Sequence, residues 1–385
     1  VEALFLTRHL KMTKHLVLYI LLLFIPAAIV SELIHSDHYV TFIFACVALI
    51  PLSKMIGDST EHLGSHYGAT AGSLLNVTFG NAPELIIATS AMNAGLFTLV
   101  KASITGSILG NILLILGLSL IAGGFRHKEQ RFNKENTGIQ TSMLFIAIIG
   151  LTIPTIIAAT TLNLSTVANS NGQKIQVLSE LVAFILLAVY VGGIIFTFVT
   201  HKHLFTQDNE TIEAEIQNGK TKGIVNKDKQ LFIWSKRRCF MILSFTIIGV
   251  VVMSEILVGT VSIAAKEFGF GELFIGAIIV GIIGNAAEHS SALILAAKNK
   301  LDLSIGIASG SGTQVALFVA PTLVIIGMII HQPFTLVFTT FELIALLLAV
   351  IILNLIAHDG KSNWFEGVML TCVFVIIALG FYFVG

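Results

Sequence analysis

Long apolar runs separated by short polar joints organise this chain. A helix crossing the bilayer needs roughly 20 apolar residues. Eleven windows qualify: 16–34, 39–64, 69–94, 98–124, 139–160, 175–200, 239–265, 271–297, 302–330, 334–357 and 364–384. Between the sixth and seventh lies the one long polar stretch, residues 201–238. The pattern predicts an all-α integral membrane protein with 11 transmembrane helices. Residues 16–30 follow Arg8, Lys11 and Lys14, as a secretory signal would. They lead directly into further apolar spans, so a retained first helix is expected.

Basic residues test the count. With the N-terminus in the cytosol, 19 of the 22 Lys and Arg fall on cytosolic segments. Lys101, Lys174 and Lys266 alone fall outside. A miscounted helix would scramble this separation, because orientation follows the Lys/Arg bias of the loops.

The segment 80-GNAPELIIA-88 returns as 284-GNAAEHSSA-292, an offset of 204 positions. At the same offset Gly72 matches Gly276, Leu99 matches Leu303, and Gly106-Ser107 matches Gly310-Ser311. Five crossings separate the two copies, an odd number, so they enter the membrane from opposite faces. Inverted repeats of this kind build secondary transporters, with the substrate site at the repeat interface near the midplane. The expected division is a segment 1–38 with the first helix, a five-helix repeat 39–200, a cytosolic loop 201–238 and a second five-helix repeat 239–385. The first helix stands outside the repeat, as a packing or targeting element.

Composition agrees. The chain is 55% hydrophobic and 11% charged, with a mean hydropathy of +0.91, whereas soluble domains carry about 25% charged residues. A net charge of zero supplies no field for nucleic acid. Cys46, Cys239 and Cys372 lie far apart and form no metal or disulfide pattern.

Glu84 and Glu288 are the repeated centres. An ionised carboxylate inside an apolar span costs at least ~2.5–3.5 kcal/mol, and here the cost recurs at equivalent positions. Two converging carboxylates suit a hard divalent cation such as Ca²⁺, which takes six to eight oxygens at about 2.3–2.6 Å. Asn81 and Asn285 lie three residues earlier, on the same helix face. Pro83 should open the preceding turn and free carbonyls near Phe79 and Gly80. Ala287 stands at the second copy's matching position, so a break there has to rely on Gly281 and Gly284. Without the cation, like charges at low dielectric repel and should take up protons. Cation and protons then compete for one site, which gives exchange.

Ser107 and Ser311 are equivalent, and Asn111 and Gln314 fall about one turn further on. Close packing through small residues is the competing role for the serines. His289 follows Glu288 and is either a tuner of the proton step or a structural histidine. Glu255 is a third deep acid that could line the proton or cation path; Asp58 and Glu61 are candidates near the inner end of helix two. Asp208, Glu210, Glu213 and Glu215 form an acidic stretch in the long loop, either a Ca²⁺-gathering helix or a solvated linker.

At 73-SLLNVTFGNAPELI-86, 284-GNAAEHSSALI-294, 310-GSGTQVALFVAP-321 and 362-SNWFEGVM-369 the chain resembles the calcium/proton exchanger family of the calcium/cation antiporter superfamily. The resemblance runs over nearly the whole chain after about residue 40. It implies an eleven-helix fold with the cation held by Glu84, Glu288 and nearby backbone carbonyls. Ser107, Ser311 and Gln314 would support the site, and His289 stands where the family has a histidine. The family's acidic helix maps only loosely onto Asp208–Glu215. The implied partners are Ca²⁺, H⁺ and lipid, with no cofactor beyond the cargo. A Na⁺/Ca²⁺ exchanger is one alternative, although those proteins resemble GSxPE and GTSxPD. An intramembrane zinc hydrolase built on Glu61, His62 and His66 is another, lacking an HExxH order and a third ligand. Compact loops point to a prokaryotic plasma membrane, with a vacuolar membrane as the eukaryotic alternative.

Overall fold

Backbone groups have no water to bond in a bilayer core, so apolar runs of this length close their hydrogen bonds within helices. The computed structural model describes residues 17–18, 20–67, 69–162, 168–201 and 234–384. Its helices are α1 Phe24–Leu33, α2 His38–Tyr67, α3 Ala69–Gly80 and α4 Ala82–Asn93. Next come α5 Phe97–Gly124, α6 Lys134–Leu162, α7 Ala168–Ile195 and α8 Lys236–Phe268. The second half continues with α9 Glu272–Gly284, α10 Ala286–Ala297, α11 Leu301–Ile329, α12 Thr340–Ala357 and α13 Trp364–Val384. Eight of these (α2, α5, α6, α7, α8, α11, α12 and α13) are each long and apolar enough to cross a membrane. α9 and α10 pass together as one span bent by 64°.

The long helices α2 and α8 lie against each other, α5 packs on α9 and α13, and α12 packs on α6. Phe184, Ile185, Phe245 and Ile248 stay exposed on the rim. An apolar rim is what a lipid solvent permits. The two faces are distinct. On one, Gln130 Nε2 donates to the Ala296 carbonyl at 2.9 Å and to Asn299 Oδ1 at 3.0 Å. There β1 Gln130–Arg131 pairs antiparallel with β2 Lys361–Ser362, clasping the α5–α6 and α12–α13 loops together. Lys361 beside Glu129 holds that carboxyl below the usual carboxylate range. On the opposite face Phe334 is fully buried beside Phe97, under the Lys101 ammonium.

One window begins later than expected. Residues 332–339 are non-helical and α12 starts at Thr340. Pro333 cannot donate to a preceding turn. Thr339 then closes a capping box with Glu342, which sets the start of the helix.

Candidate functional site

Both copies of the repeated motif break at their asparagine. Asn81 has φ −90°, ψ 9° and Asn285 has φ −93°, ψ 9°, outside helical geometry in the same way. Pro83 lies after its break, in the first turn of α4, and Ala287 occupies that place in α10. Proline is therefore not common to the two breaks, as the alanine at position 287 already required. Gly80 and Gly284 end the helices before the breaks. Their terminal carbonyls, with that of Phe79, belong to a last turn that has no intrahelical donors left.

Glu84 and Glu288 each fall in the first turn of the half-helix after the break. A helix N-terminus presents free N–H groups and a positive dipole end to a carboxylate. The side chains cross between the repeats. A methyl group added at Gly284 would lie 2.8 Å from Glu84 Oε1, and one added at Gly80 would lie 3.5 Å from Glu288 Oε1. The charge of Glu288 acts on Glu84. In each acid the second oxygen, Oε2, is buried with no hydrogen-bond partner among the described residues. Buried polar atoms are normally paired, so two orphan carboxylate oxygens at matched positions point to a ligand.

The supporting polar residues form a pair and a network around the two breaks. Asn81 Nδ2 donates to Gln314 Oε1 at 2.7 Å, tying the first break to α11. Asn111 Nδ2 donates to Ser311 Oγ at 3.0 Å, and Ser311 Oγ donates to Asn285 Oδ1 at 3.1 Å. Ser107 Oγ and Asn285 Nδ2 both donate to the Gly281 carbonyl, at 3.3 and 3.2 Å. π-helical turns occur at matched places, Gly110–Ile115 in α5 and Val315–Val319 in α11. Such turns are frequent at functional sites.

Not every candidate joins this network. His289 is buried and its Nε2 has no partner. Glu255 is exposed and accepts from Ser90 Oγ at 2.8 Å, away from the paired glutamates. Asp58 and Glu61 line the open cavity described next. Asp208, Glu210, Glu213 and Glu215 lie outside the described residues. His66 Nε2 donates to the Trp234 carbonyl at 2.7 Å and His62 stacks on the Trp234 ring at 4.6 Å. Among the described residues no group of three His, Cys, Asp or Glu is placed to hold a metal ion.

Two cavities approach the site. One of about 1600 Å³ opens between α2–α3 and α10–α11, beside the β-clasp, and reaches Glu288, Ser311 and Gln314. The other, of about 10 Å³, lies against Glu84, Ser103 and Ser107, room for about one water molecule. Six of its ten lining residues are Glu84, Ile87, Ser103, Ser107, Val280 and Gly284. Their repeat-mates Glu288, Ser291, Ile307, Ser311, Asn76 and Gly80 all line the large cavity. The small cavity is thus lined largely by sequence repeat-mates of residues that line the large one. Its walls are closed by glycine contacts: a methyl group at Gly106 would lie 1.8 Å from the Ala277 carbonyl oxygen, and one at Gly281 2.7 Å from the Gly106 carbonyl carbon. The repeat-mate of Gly106, Gly310, has only Gln140 Oε1, at 4.0 Å, and Gly306 has nothing within 4 Å. Asn76, Ser103 and the Gly106–Ala277 seam were not singled out from sequence as site residues. The constant repeat offset was the signal available for Ser103 and Asn76, once Ile307 and Val280 are set beside them.

The profile of the sodium/calcium exchanger protein family matches residues 38–199 and 239–383. The chain belongs to that family. It is 40% identical over 376 residues to a Ca(2+)/H(+) antiporter of Aphanothece halophytica, covering 97% of this chain and 98% of the relative. It is 40% identical over 362 residues to the Ca(2+)/H(+) antiporter ChaA of Bacillus subtilis, covering 93% and 96%. It is 33% identical over 365 residues to a vacuolar calcium ion transporter of Schizosaccharomyces pombe, covering 94% and 84%. Among solved structures it is similar to native YfkE, with a TM-score of 0.77 and 37% identity over 95% of this chain and 99% of that one. The H+/Ca2+ exchanger CAX shares the fold, with a TM-score of 0.67 at 14% identity over 97% of this chain and 93% of that one. The family is one of multi-pass membrane transporters, and the two matched blocks leave out the long polar loop.

Proposed function

We propose that this chain is a secondary active antiporter that exports Ca²⁺ from the cytosol in exchange for H⁺, with Glu84 and Glu288 binding either cargo but not both at once. The observation that carries the reading is the pair of cross-packed carboxylates, each with a buried oxygen that finds no hydrogen-bond partner among the described residues. Four carboxylate oxygens, the amide oxygens of Asn81 and Asn285 and the break carbonyls of Phe79, Gly80 and Gly284 offer the oxygen-rich surroundings Ca²⁺ takes. When Ca²⁺ leaves, protons neutralise the same groups, since an unpaired buried charge is costly. Gln314 and Ser311, the latter backed by Asn111, hold the two asparagines in place, Ser107 bonds the Gly281 carbonyl that Asn285 also bonds, and His289 beside Glu288 is a candidate for the proton step.

Eleven crossings account for the helices: α1, α2, α3–α4, α5, α6, α7, α8, α9–α10, α11, α12 and α13. The first stands outside two inverted five-helix repeats, with the N-terminus and the β-clasp face in the cytosol, in a prokaryotic plasma membrane or a vacuolar membrane. The large cavity then opens to the cytosol, and the small cavity, as its collapsed image, marks the closed outer passage. Alternating access follows if the two exchange roles, because the repeats can adopt each other's conformation.

Sequence identities of 40% to two Ca(2+)/H(+) antiporters favour protons over Na⁺ as the counter-ion. Uptake of ⁴⁵Ca into proteoliposomes driven by a pH gradient, without Na⁺, tests the reading. Uptake lost in Glu84→Gln and in Glu288→Gln is expected. Uptake requiring a Na⁺ gradient, or retained in either variant, would overturn it.

A further inference from the structure

Besides Glu288, the cytosolic cavity is lined by four acids, Asp58, Glu61, Glu135 and Asp302. Their repeat-mates are Ser262, Ala265, Thr339 and Thr98. The walls of the outer passage therefore carry no charge where the inner walls carry it, and a carboxylate for the outer side stands at a position whose repeat-mate is not acidic. Glu255 is placed to supply it. Ser90, which donates to Glu255 Oε1 at 2.8 Å, is the repeat-mate of Ile294, a lining residue of the open cavity. Ser90 thus belongs to the wall of the closed outer passage. Glu255 stands on α8, the counterpart of α2, which forms the opposite wall of the open cavity. Their hydrogen bond spans the closed passage from wall to wall.

Height agrees with this placement. Glu255 lies about 28 Å along α8 from Lys236, past its middle, and Ser90 lies about 9 Å beyond Glu84 towards the outer face. The Glu255 side chain is exposed, flanked by the exposed Val251 and Val252. A carboxylate there has no packing role to explain it.

Resting on the antiport reading above, we propose that Glu255 is the proton-accepting and cation-releasing carboxylate of the outer passage, held by Ser90 while that passage is closed and freed when α8 and α9 part from α4 and α5. Few other titratable groups stand near it. α4 carries only Glu84; the outer half of α2 carries His38, Tyr39 and Cys46; α1 carries Glu32; and α9 carries Glu272, which accepts from Ser262. On α8 itself Lys266 and Glu267 lie about three turns further out. Among the described residues Glu255 makes no ion pair.

Everted membrane vesicles place the outer face in the lumen, so lumenal pH can be varied at fixed external Ca²⁺ and pH while ⁴⁵Ca uptake is measured. Glu255→Gln keeps an acceptor for Ser90 and removes the titration. Its half-maximal uptake is expected to shift by about one pH unit to a more acidic lumen, with the Ca²⁺ KM on the cytosolic side unchanged within about twofold. Ser90→Ala keeps the carboxylate and removes the bond. It is expected to keep the wild-type pH profile while raising thiol labelling of a Ser103→Cys partner from the outer face. An unchanged pH profile in Glu255→Gln, or a rise in cytosolic KM in its place, overturns the proposal. Failure of the antiport reading is separable, since wild type would then show no pH-driven uptake and would match Glu84→Gln.

Discussion

Replacing Gly106 by alanine should push the protein out of the conformation seen here. The added methyl would sit 1.8 Å from the Ala277 carbonyl oxygen and 2.4 Å from its carbonyl carbon, both backbone atoms that no side-chain rotation can move aside. Ordinary van der Waals contact begins at 3.4 Å. α5 and α9 would have to part by more than an ångström, and parting them opens the outer passage. Overpacking of this kind costs typically ~1–3 kcal/mol, which shifts a two-state equilibrium by about 5–150-fold. The paired control is Gly310→Ala at the repeat-mate position, where the nearest atom is Gln140 Oε1 at 4.0 Å.

A membrane-impermeant thiol reagent reads the outcome. With Ser103→Cys as reporter in the small cavity, labelling from the outer face is expected to rise at least about fivefold in the Gly106→Ala background, following the population shift. With Ile307→Cys in the large cavity, labelling from the cytosolic face should fall. Gly276→Ala, whose methyl would meet Ala102 Cβ at 2.7 Å and the Leu99 carbonyl oxygen at 2.9 Å, provides a second route to the same shift. If folded Gly106→Ala and Gly276→Ala label as wild type does, or if Gly310→Ala shifts labelling the same way, the collapsed-image relation between the cavities is wrong.

How much of this was legible in the sequence depends on what each residue encodes. The motif GNAPE/GNAAE carried the site, because a carboxylate in an apolar span is costly enough to stand out and repetition at one offset excludes accident. The first helix break was expected from Pro83 and the second from Gly281 and Gly284. Proline is a strong local signal, but both breaks sit at asparagine with nearly identical backbone angles. The start of α12 was placed too early, since apolar residues 334–338 read as helix until Thr339 and Glu342 are seen to cap it. The depth of Glu255 was evident and its orientation was not. One helical period says how far along a span a residue lies, and its neighbours decide which way it faces. The glycine seam between α5 and α9 was hidden for a related reason: a glycine permits close approach without naming the helix that approaches. The difference between the open and the collapsed cavity is a property of one conformation, and a sequence built to visit two encodes both equally.

Further outcomes follow from the site. Gln314→Leu removes the bond that ties Asn81 Nδ2 to α11, a loss of about 0.5–1.5 kcal/mol, so the Ca²⁺ KM should rise roughly 2–12-fold in vesicle uptake while the folded yield is kept. Ser311→Ala cuts the chain from Asn111 to Asn285 and should weaken Ca²⁺ binding by titration calorimetry, whereas Ser107→Ala, which loses one 3.3 Å bond, should do so less. Lys361→Gln removes the ion pair with the exposed Glu129 and should leave transport between pH 6 and 8 unaltered, because surface pairs contribute about 0–1 kcal/mol; a large loss would show that the β-clasp takes part in transport.

The most direct measurement is proton release on Ca²⁺ binding. Purified protein in weakly buffered detergent solution, with a pH indicator, is titrated with Ca²⁺ in the wild type, in Glu84→Gln, in Glu288→Gln and in the double variant. If one pair of carboxylates holds either cargo, wild type releases protons as Ca²⁺ binds, each single variant releases fewer, and the double variant neither binds Ca²⁺ nor releases protons. Ca²⁺ binding without proton release in the wild type, or undiminished in the double variant, would contradict it.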